Sequence, residues 1–432
     1  MELSGWGRYP IITCDAKSFE TETALADLLG QKEGWIAHGQ GKSYGDSALN
    51  NNVLLTHQFN KIIAFDAKNG RVTCESGVTL AELIELFLPK GWFLKITPGT
   101  KLISVGGAIA SDVHGKSHHA DGCFSASVIY FRLMLPDGSV VRCSRDENYE
   151  LFCATCGGMG LTGLILDAQL QLKSVHSAFL REKIIPCRNL GHIFEQFERH
   201  RQAPYSVAWI DCLAKGSRLG RSILMLGDHD DDGDLELPRP PKLTVPIEFP
   251  SFTINTYSMS LFNTLYYHIK GRPVENHRVP IDTFFYPLDK VAHWNRLYGK
   301  VGFTEYQCVL PKSQSLKGMQ QLLKRITASG LGSCLAVLKL CGPHNDNYLS
   351  FPMEGYSLAL DFKIQPKLFP LLNELDKIVL EHGGRLYLAK DVRASREVFV
   401  QGYPKLAKFE AVRQKYGMHK KFNSIQSKRV GL

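Results

Sequence analysis

Hydrophobic and polar positions along the first 175 residues predict short elements separated by glycine-rich loops. A capping box at Thr79-Leu-Ala-Glu82 predicts a helix over 80–88, which Pro89-Lys-Gly91 ends. The apolar runs on both sides of Pro136-Asp137-Gly138 predict a β-hairpin. Alternation of apolar and polar residues over 164–172 predicts a half-buried strand.

The rest of the chain has fewer glycines and more aromatic residues. Its periodicity predicts two amphipathic helices, over 316–329 and 367–382, and three strands, over 306–310, 335–340 and 357–362. The segment 385–390 is predicted to be a further strand, with Leu386, Leu388 and Lys390 on one face and Tyr387 on the other. The acidic and then proline-rich segment 227–241 is predicted to be a polar loop. Helices interspersed with strands predict an α+β fold in which an antiparallel sheet is covered on one face. A length of 432 residues favours two or three domains.

Composition excludes a disordered or fibrous chain, since 44% of the residues are hydrophobic and 22% are charged. We expect no transmembrane span, because no uncharged apolar run reaches about 18 residues. The N-terminus has no basic region followed by an apolar region, so no secretory signal is expected. Eleven scattered cysteines indicate reduced thiols and a cytoplasmic protein.

The net charge of +9 is concentrated at the C-terminus. From Lys405 onward there are eight Lys and Arg residues and one acid, Glu410, so this segment alone carries +7. A basic end of this kind can bind nucleic acid, an anionic membrane or an acidic ligand. A solvated terminal helix explains the same charge equally well.

Three groups of residues have the character of metal ligands, and none of them predicts a metal site. Cys153-Ala-Thr-Cys156 lacks the second cysteine pair that zinc needs, so the two thiols are interpreted as helix-packing groups. Asp228-His-Asp-Asp-Asp-Gly233 matches the start of a calcium loop, but Arg239 occupies the position that requires a bidentate Glu. The histidines of His114-Gly-Lys-Ser-His-His119 are interpreted as part of a polar loop over a ligand.

The strongest chemical signal is a set of three glycine-rich segments. They are Gly39-Gln-Gly-Lys-Ser-Tyr-Gly-Asp46, Pro98-Gly-Thr100 with Ser104-Val-Gly-Gly-Ala108, and Gly157-Gly-Met-Gly-Leu-Thr-Gly163. Glycine lets main-chain N–H groups approach a ligand and form anion-binding concavities, so three such loops predict a large phosphate-bearing cofactor. The sequence has neither a P-loop nor a clean Rossmann fingerprint.

These segments, together with the run from Val105 to His119, resemble the vanillyl-alcohol-oxidase superfamily of FAD oxidoreductases. Within it the chain is most similar to the family of decaprenylphosphoryl-β-D-ribose 2-oxidases. That similarity continues through Tyr286-Pro-Leu-Asp289, Lys339-Leu-Cys-Gly-Pro343 and Gly384-Arg-Leu-Tyr-Leu-Ala-Lys-Asp391. The resemblance implies an FAD-binding domain over 1–175, a substrate-binding cap domain over 176–384 and a return segment to the FAD domain over 385–432.

The resemblance also implies which residues bind the cofactor. Those expected to contact FAD are Gly39, Gly41, Lys42, Ser43, Tyr44, Gly45, Asp46, Gly99, Thr100, Ser104, Gly106, Gly107, Ala110, Val113, His114, Gly115, Lys116, Ser117, Gly160, Ile165 and Tyr387. Many relatives link FAD covalently through a histidine at the position of Lys42. Noncovalent FAD is therefore expected here.

Lys390 matches the catalytic lysine of the family, and His114 is an alternative proton acceptor. The substrate pocket is implied to include Glu305, Gln307, Lys339, Ser357 and Phe285. Glu305, Ser357, Phe285 and Ala359 replace the Gln, Asn, Tyr and Cys of the family pattern. These departures concern the sugar and the lipid and leave the redox chemistry unchanged. The aromatic segment 252–269 is interpreted either as a lid over the pocket or as ordinary core.

The implied reaction is FAD-dependent oxidation of the 2-hydroxyl of a polyprenyl-phosphate-linked pentose to a 2-keto sugar. It would be the first half of an epimerisation in cell-envelope sugar synthesis. A quinone or another acceptor would reoxidise the flavin, a short-chain reductase would complete the epimerisation, and the protein would contact the inner membrane face peripherally. Two alternatives stay open: an aldonolactone or free-sugar oxidase of the same superfamily, and a basic-tailed nucleic-acid-binding protein. The second lacks the interleaved aromatic and basic residues of single-strand binders.

Overall fold

The structure, a computed structural model, describes residues 1–238, 243–250, 253–333 and 335–432. Its strands are β1 (Glu2–Ser4), β2 (Ile11–Thr13), β3 (Asp15–Ser18), β4 (Trp35–His38), β5 (Asn52–Leu55), β6 (Ile62–Asp66), β7 (Arg71–Glu75), β8 (Trp92–Leu94), β9 (Val128–Met134), β10 (Val140–Ser144), β11 (Leu164–Ser174), β12 (Phe179–Cys187), β13 (Tyr205–Ile210), β14 (Ser222–His229), β15 (Leu243–Thr244), β16 (Val274–Pro280), β17 (Val291–Ala292), β18 (Phe303–Pro311), β19 (Ala336–Cys341), β20 (Gly355–Lys363) and β21 (Arg385–Leu386).

The helices are α1 (Glu22–Gln31), α2 (Leu80–Phe87), α3 (Val105–Ala110), α4 (His118–Asp121), α5 (Tyr149–Thr155), α6 (Leu190–Arg199), α7 (Thr256–Lys270), α8 (Ile281–Phe285), α9 (Lys312–Ser329), α10 (Leu368–Glu381), α11 (Arg396–Gly402), α12 (Leu406–Lys415), α13 (Met418–Lys421) and α14 (Ile425–Val430). None of the described helices combines the length and the apolar character that crossing a bilayer requires.

Two sheets from the N-terminal part of the chain share one hydrophobic core. Strands β3, β5 and β4 form a parallel sheet, and β10-β9-β11-β7-β6 form an antiparallel sheet to which β8 adds beside β11. Trp35, Val53, Phe131 and Leu166 are buried in this first core. Because β4 ends at His38, the first glycine-rich segment leaves the carboxyl end of a buried strand.

Eight strands, in the order β16-β12-β14-β13-β19-β20-β18-β21, form a second sheet. All of its pairings are antiparallel. Helices α6, α9 and α10 cover one face, where Ile193, Leu322 and Leu375 lie in a second hydrophobic core. The opposite face lines a cavity. A large antiparallel sheet with helices on one face confirms the predicted α+β fold.

Most predicted elements are present with small differences in length. Thr79 and Glu82 form the capping box of α2, and β9 and β10 pair on either side of the predicted turn. Helix α9 starts at Lys312 rather than at 316. The strand predicted over 385–390 is wrong beyond β21, because the N–H of Lys390 donates to the carbonyl of Tyr387 and closes a turn. The alternation of side chains expected there does not hold.

The acidic segment after β14 is not the solvated loop that its composition predicts. Asp230, Asp232 and Asp234 each pair with Arg278. Carboxylates engaged by a guanidinium are not free to bind a calcium ion. Arg239, which the sequence places at the twelfth position of the loop, lies outside the described residues, as does Phe252 of the aromatic segment.

The basic C-terminal segment is neither a solvated helix nor a free basic arm. After β21 the chain returns to the first core, where Phe399, Phe409 and Phe422 are buried. Arg413 is itself buried and donates to the carbonyls of Leu161 and Phe422. Protein acceptors also engage other cations of the segment: Lys405, Lys415, Lys421, Lys428 and Arg429. The charge counted in the sequence therefore serves largely to hold the chain end against the first core.

Candidate active site

A cavity of about 970 Å³ lies between the first core and the uncovered face of the eight-stranded sheet. It brings together the three glycine-rich segments and most of the residues predicted to contact FAD or substrate. Gly45, Asp46, Ser117 and Ser357 are the predicted residues that do not line it. The predicted site is thus one continuous space shared by both halves of the fold.

The first glycine-rich segment presents unpaired main-chain donors to this cavity. Within the described chain, the N–H groups of residues 39–43 donate to no protein acceptor. The N–H of Tyr44 ends the run by donating to the carbonyl of Ala389. Successive free N–H groups form a concavity that favours anions, so this loop fits the diphosphate of a dinucleotide cofactor.

Gly45 and Asp46 support that loop instead of lining the cavity. A Cβ at Gly45 would lie 1.8 Å from the carbonyl oxygen of Asp391, so only glycine allows the two segments to approach. The carboxylate of Asp46 pairs with Arg429 at 2.7 Å. The C-terminal return segment therefore fixes the position of the first loop.

The second glycine-rich segment contributes shape more than free donors. The N–H groups of Val105 and Gly106 donate to main-chain carbonyls, and that of Gly107 donates to the hydroxyl of Ser104. Gly99 is different, because a Cβ there would meet no atom within 4 Å. Gly99 therefore borders open cavity, where a ligand can approach the main chain closely.

Lys42 is the residue for which the resemblance implies a linking histidine in many relatives. Its Nζ lies 3.7 Å from the centre of the Trp6 ring, and burial lowers its pKa while Asp289 opposes that shift. His38 does not line the cavity; its Nδ1 lies 2.9 Å from the carbonyl oxygen of Ala48. Lys42 has no imidazole, and His38 does not line the cavity, so neither side chain is placed to form a histidyl link to the cofactor.

His114 is buried at the cavity wall and is already engaged. Its Nε2 lies 3.1 Å from Nε2 of Gln307, and that amide also donates to the hydroxyl of Ser357 at 3.1 Å. Its Nδ1 has no hydrogen-bond partner within the described chain. Burial, followed by the nearby charge of Lys339, lowers the pKa of His114 well below its usual range. The imidazole is therefore neutral, with Nε2 accepting from Gln307.

The three histidines predicted to form a polar loop do not converge. Nδ1 of His118 accepts from the N–H of Gly342, and Nε2 of His119 lies 2.7 Å from the carbonyl oxygen of Ala203. Their ring nitrogens thus point to different parts of the protein. No group of metal-ligating side chains is found within the described ranges.

Lys390 and Glu305 form an ion pair at the polar end of the cavity. The N–O distance is 2.9 Å, and the two side chains are 20% and 11% exposed. Lys390 Nζ also lies 3.8 Å from the centre of the Tyr44 ring. Asp361 lies opposite Glu305 across β20 and β18. Burial, and then the neighbouring Glu305, raises the pKa of Asp361 well above its usual range, so its protonated form is favoured.

Two further lysines line the middle of the cavity. Lys339 forms no ion pair with any described residue; burial lowers its pKa, and the charge of Glu305 opposes that shift. Lys116 donates to the carbonyl of Phe284. Burial and the neighbouring Lys339 lower the pKa of Lys116 to about 7. A cation that lacks a protein counter-ion is a ready partner for a bound phosphate.

The cavity wall changes from polar to apolar across the eight-stranded sheet. Most of its polar side chains on this sheet lie on the adjacent strands β18, β20 and β19: Glu305, Gln307, Asp361 and Lys339. Glu182 of β12 is a further polar side chain, at the far edge of the wall. The apolar side chains of the wall follow on β19, β13, β14 and β12: Val337, Val207, Trp209, Ile223, Met225 and Ile184. Tyr266 of α7 extends the apolar part, with its ring centre 4.9 Å from that of Trp209. On the facing wall, the ring centre of Phe285 lies 5.6 Å from that of Phe93.

The free N–H run over 39–43, the open position at Gly99 and the size of the cavity fit a bound FAD. A family model described as an FAD binding domain matches residues 20–144. Together the fold and the site define an FAD-dependent oxidoreductase of the vanillyl-alcohol-oxidase superfamily.

Comparison with curated proteins narrows this class. The chain is 33% identical to the decaprenylphosphoryl-β-D-ribose oxidase of Mycolicibacterium smegmatis in an alignment that covers 100% of this chain and 97% of that protein. It is 31% identical to an uncharacterized protein of Streptomyces coelicolor over 82% of this chain and 100% of that one. L-gulonolactone oxidase of Mus musculus is 30% identical over 31% of this chain and 30% of its own length. The chain belongs to the family of FAD-dependent oxidoreductases that includes decaprenylphosphoryl-β-D-ribose oxidase, which confirms the resemblance read from its motifs.

Asp361 and Trp209 line the cavity and were not singled out in the sequence. Alternation along the predicted strand 357–362 puts Asp361 on the same face as Ser357, so a signal for it was present. Trp209 lies on β13, for which no strand was predicted. Only the pairing of β13 with β19 brings Trp209 beside Val337.

Proposed function

We propose that this enzyme oxidises the 2-hydroxyl of a polyprenyl-phosphate-linked pentose to a 2-keto sugar. The observation that carries the proposal is the order of side chains across the cavity wall. Hydrogen-bonding groups come first, a lysine without an ion-pair partner follows, and mainly apolar side chains come last, with Glu182 at their far edge. A substrate made of a sugar, a phosphate and a lipid has its parts in the same order.

The polar end suits a sugar. Glu305 and Gln307 offer acceptors and donors on neighbouring positions of one strand face, and Lys390 adds an amine nitrogen. Hydroxyl groups both donate and accept, so a mixture of such groups can satisfy them. Lys339 lies on β19, on the other side of β20 from Glu305 and Gln307, and is the group we assign to hold the phosphate. Lys116 lines the cavity near it. The apolar stretch beyond Lys339 suits the first prenyl units.

FAD, when bound, accepts a hydride from the carbon that carries the hydroxyl group. The hydroxyl proton must then go to the protein, and Lys390 Nζ is the group we assign as its acceptor. An amine that takes up this proton becomes an ammonium, which Glu305 stabilises at the observed 2.9 Å. His114 is the weaker candidate, because its Nε2 lone pair already accepts from Gln307.

The lining of the cavity also supports a division of the chain into a cofactor-binding part and a cap over the substrate. We assign residues 1–175 and the return segment 385–432 to cofactor binding, and residues 176–384 to the cap over the substrate. The unpaired N–H groups over 39–43 and the ion pairs of Arg429 support the first assignment, and the lining of the eight-stranded sheet supports the second. FAD is held noncovalently, since Lys42 stands where relatives have histidine.

The reaction needs an oxidant for the reduced flavin, and a quinone is the class we assign. A keto sugar on a lipid carrier is a suitable substrate for a short-chain reductase, which would complete an epimerisation in cell-envelope synthesis. A free-sugar or aldonolactone oxidase is the competing function, and it would leave both Lys339 and the apolar wall without a role. The basic segment does not support a nucleic-acid-binding function, because its cations are largely paired within the protein.

Anaerobic stopped-flow measurement of flavin bleaching tests this function. A prenylphosphoryl pentose should bleach the flavin rapidly, and both the free pentose and an aldonolactone should do so slowly. A free sugar or lactone that bleaches the flavin faster than the lipid-linked pentose would show that the competing function is correct.

A further inference from the structure

Helix α7 carries an apolar face that the protein leaves uncovered. Tyr257 is 89% exposed and Leu261 is 63% exposed, and Leu265 and Ile269 continue the face at the same spacing of four residues. Phe262, beside them, is 45% exposed. We call these five side chains the α7 stripe. Soluble proteins seldom expose a continuous apolar surface of this kind unless it has a binding role.

The α7 stripe is continuous with the apolar end of the cavity. Phe262 belongs to both, since it is exposed on α7 and also lines the cavity. Tyr266, one helical turn further along, lies inside beside Trp209. A hydrocarbon chain that leaves the apolar end of the cavity would therefore pass directly to the α7 stripe.

A second exposed apolar segment borders the same cavity. Leu243 and Ile247 are each 66% exposed. This segment is attached to the cavity wall through β15, which pairs with β17, and Val291 and Ala292 of β17 line the cavity. Its one acid, Glu248, is neutralised by Arg8.

The charges around the α7 stripe favour an anionic lipid surface as its partner. Helix α7 contains no Asp or Glu, and its C-terminal end is basic, with His268, Lys270 and Arg272 all exposed. Lys270 also lines the rim of the cavity. An amphipathic helix with apolar side chains on one face and cations beside them is the arrangement that binds anionic lipid surfaces. The basic C-terminal segment, which the sequence made the candidate for membrane contact, uses most of its cations internally.

We propose that the protein docks on an anionic lipid bilayer through α7, with the α7 stripe at the acyl boundary and the apolar end of the cavity opening onto the lipid. The proposal deepens the proposed function, because a substrate on a polyprenyl carrier must enter from a membrane. Its test uses no sugar, so failure of docking and failure of the proposed reaction can be told apart.

The experiment is sedimentation of the full-length FAD-loaded protein with vesicles of phosphatidylcholine, with and without phosphatidylglycerol. The parent protein should bind the anionic vesicles more strongly than the neutral ones. The double variant Leu261→Gln/Leu265→Gln should lower the partition coefficient by about tenfold or more, since two apolar side chains lose their burial in the acyl boundary. Both positions are exposed, so the fold and flavin content should not change.

The matched control is Leu86→Gln/Leu316→Gln, which replaces two comparably exposed leucines, 45% and 41%, on other helices. Its partition coefficient should equal that of the parent. Equal binding by the two double variants, or no binding by the parent, would overturn the proposal. A lower solution mass for Leu261→Gln/Leu265→Gln than for the parent would assign the α7 stripe to self-association and would also overturn it.

Discussion

Lys390 and Lys339 line the same cavity but differ in their partners, and this difference predicts different kinetic defects. Lys390 is paired with Glu305 at the polar end, where a hydroxyl proton has to be removed. General-base assistance is worth about 10²- to 10⁴-fold in rate. Lys390→Ala should therefore slow flavin reduction by about that factor in anaerobic stopped-flow, while flavin content stays near that of the parent. The melting temperature should fall, because the largely buried Glu305 loses its partner. Reduction at the parent rate would remove Lys390 from the mechanism.

Lys339→Ala is the comparison, because it removes a cation that we assign to phosphate binding. A group that binds ground state and transition state alike changes KM and leaves kcat unaffected. We expect a raised KM for the prenylphosphoryl pentose and an unchanged KM for a free sugar. A kcat defect as large as that of Lys390→Ala would contradict the division of roles between the two lysines.

Glu305 is a departure from the family pattern that touches the assigned proton acceptor. Its carboxylate lines the cavity that must also accept a substrate phosphate, and like charges repel. Glu305→Gln should therefore raise kcat/KM for a prenylphosphoryl pentose relative to a free pentose. Asp361→Asn is the matched control, since the raised pKa of Asp361 favours its protonated form and the substitution removes little charge. A larger change for Asp361→Asn would show that the charge that matters lies on β20.

At the scale of elements, the return segment is joined to the first loop by Arg429. Its guanidinium pairs with Asp46 at 2.7 Å and with Asp391 at 2.9 Å, and both carboxylates are nearly fully buried. Removing one partner of a buried ion pair costs about 3–5 kcal/mol. Arg429→Met should lower the free energy of unfolding by about that amount, measured by urea denaturation, and should weaken FAD retention. Lys420→Met, in the same basic segment, is the control and should change neither.

Local signals in the sequence were sufficient for elements whose determinants are close in the chain. The capping box of α2 and the hairpin of β9 and β10 depend on a few adjacent residues, and both are present. The segment after β21 could not be predicted in this way, because its turn is set by contacts with distant strands. The N–H of Tyr387 donates to the carbonyl of Gln307, and this hydrogen bond positions Tyr387 and Lys390 together.

The parts of the candidate site that depend on nearby residues could be recognised from the sequence, and those that depend on distant pairing could not. The glycine-rich segments were visible because glycine is required where main chains approach closely, as at Gly45. The ion pair of Lys390 with Glu305 was not visible, since the two residues meet only when the chain returns beside β18. The net charge of the basic segment can be counted from the sequence. Its internal ion pairs cannot be predicted there, because pairing partners such as Asp46 are far away in the sequence.

For the whole molecule, we expect FAD to lie in the cavity between the first core and the eight-stranded sheet without a covalent bond. Lys42 replaces the linking histidine, and His38 is bonded to Ala48 outside the cavity. Denaturing the purified protein in acid and centrifuging it should leave the yellow colour in the supernatant. Colour that stays with the pellet would mean that another residue forms a covalent link to FAD.

The reaction we propose transfers a hydride from C2 of a lipid-phosphate-linked pentose to the flavin. The most direct measurement is anaerobic flavin bleaching by a prenylphosphoryl pentose carrying deuterium at C2, compared with the unlabelled compound. We predict rapid bleaching, a clear slowing by the deuterium and a 2-keto product by mass spectrometry. Bleaching that is insensitive to deuterium at C2, together with a product oxidised at another carbon, would contradict this account of the site.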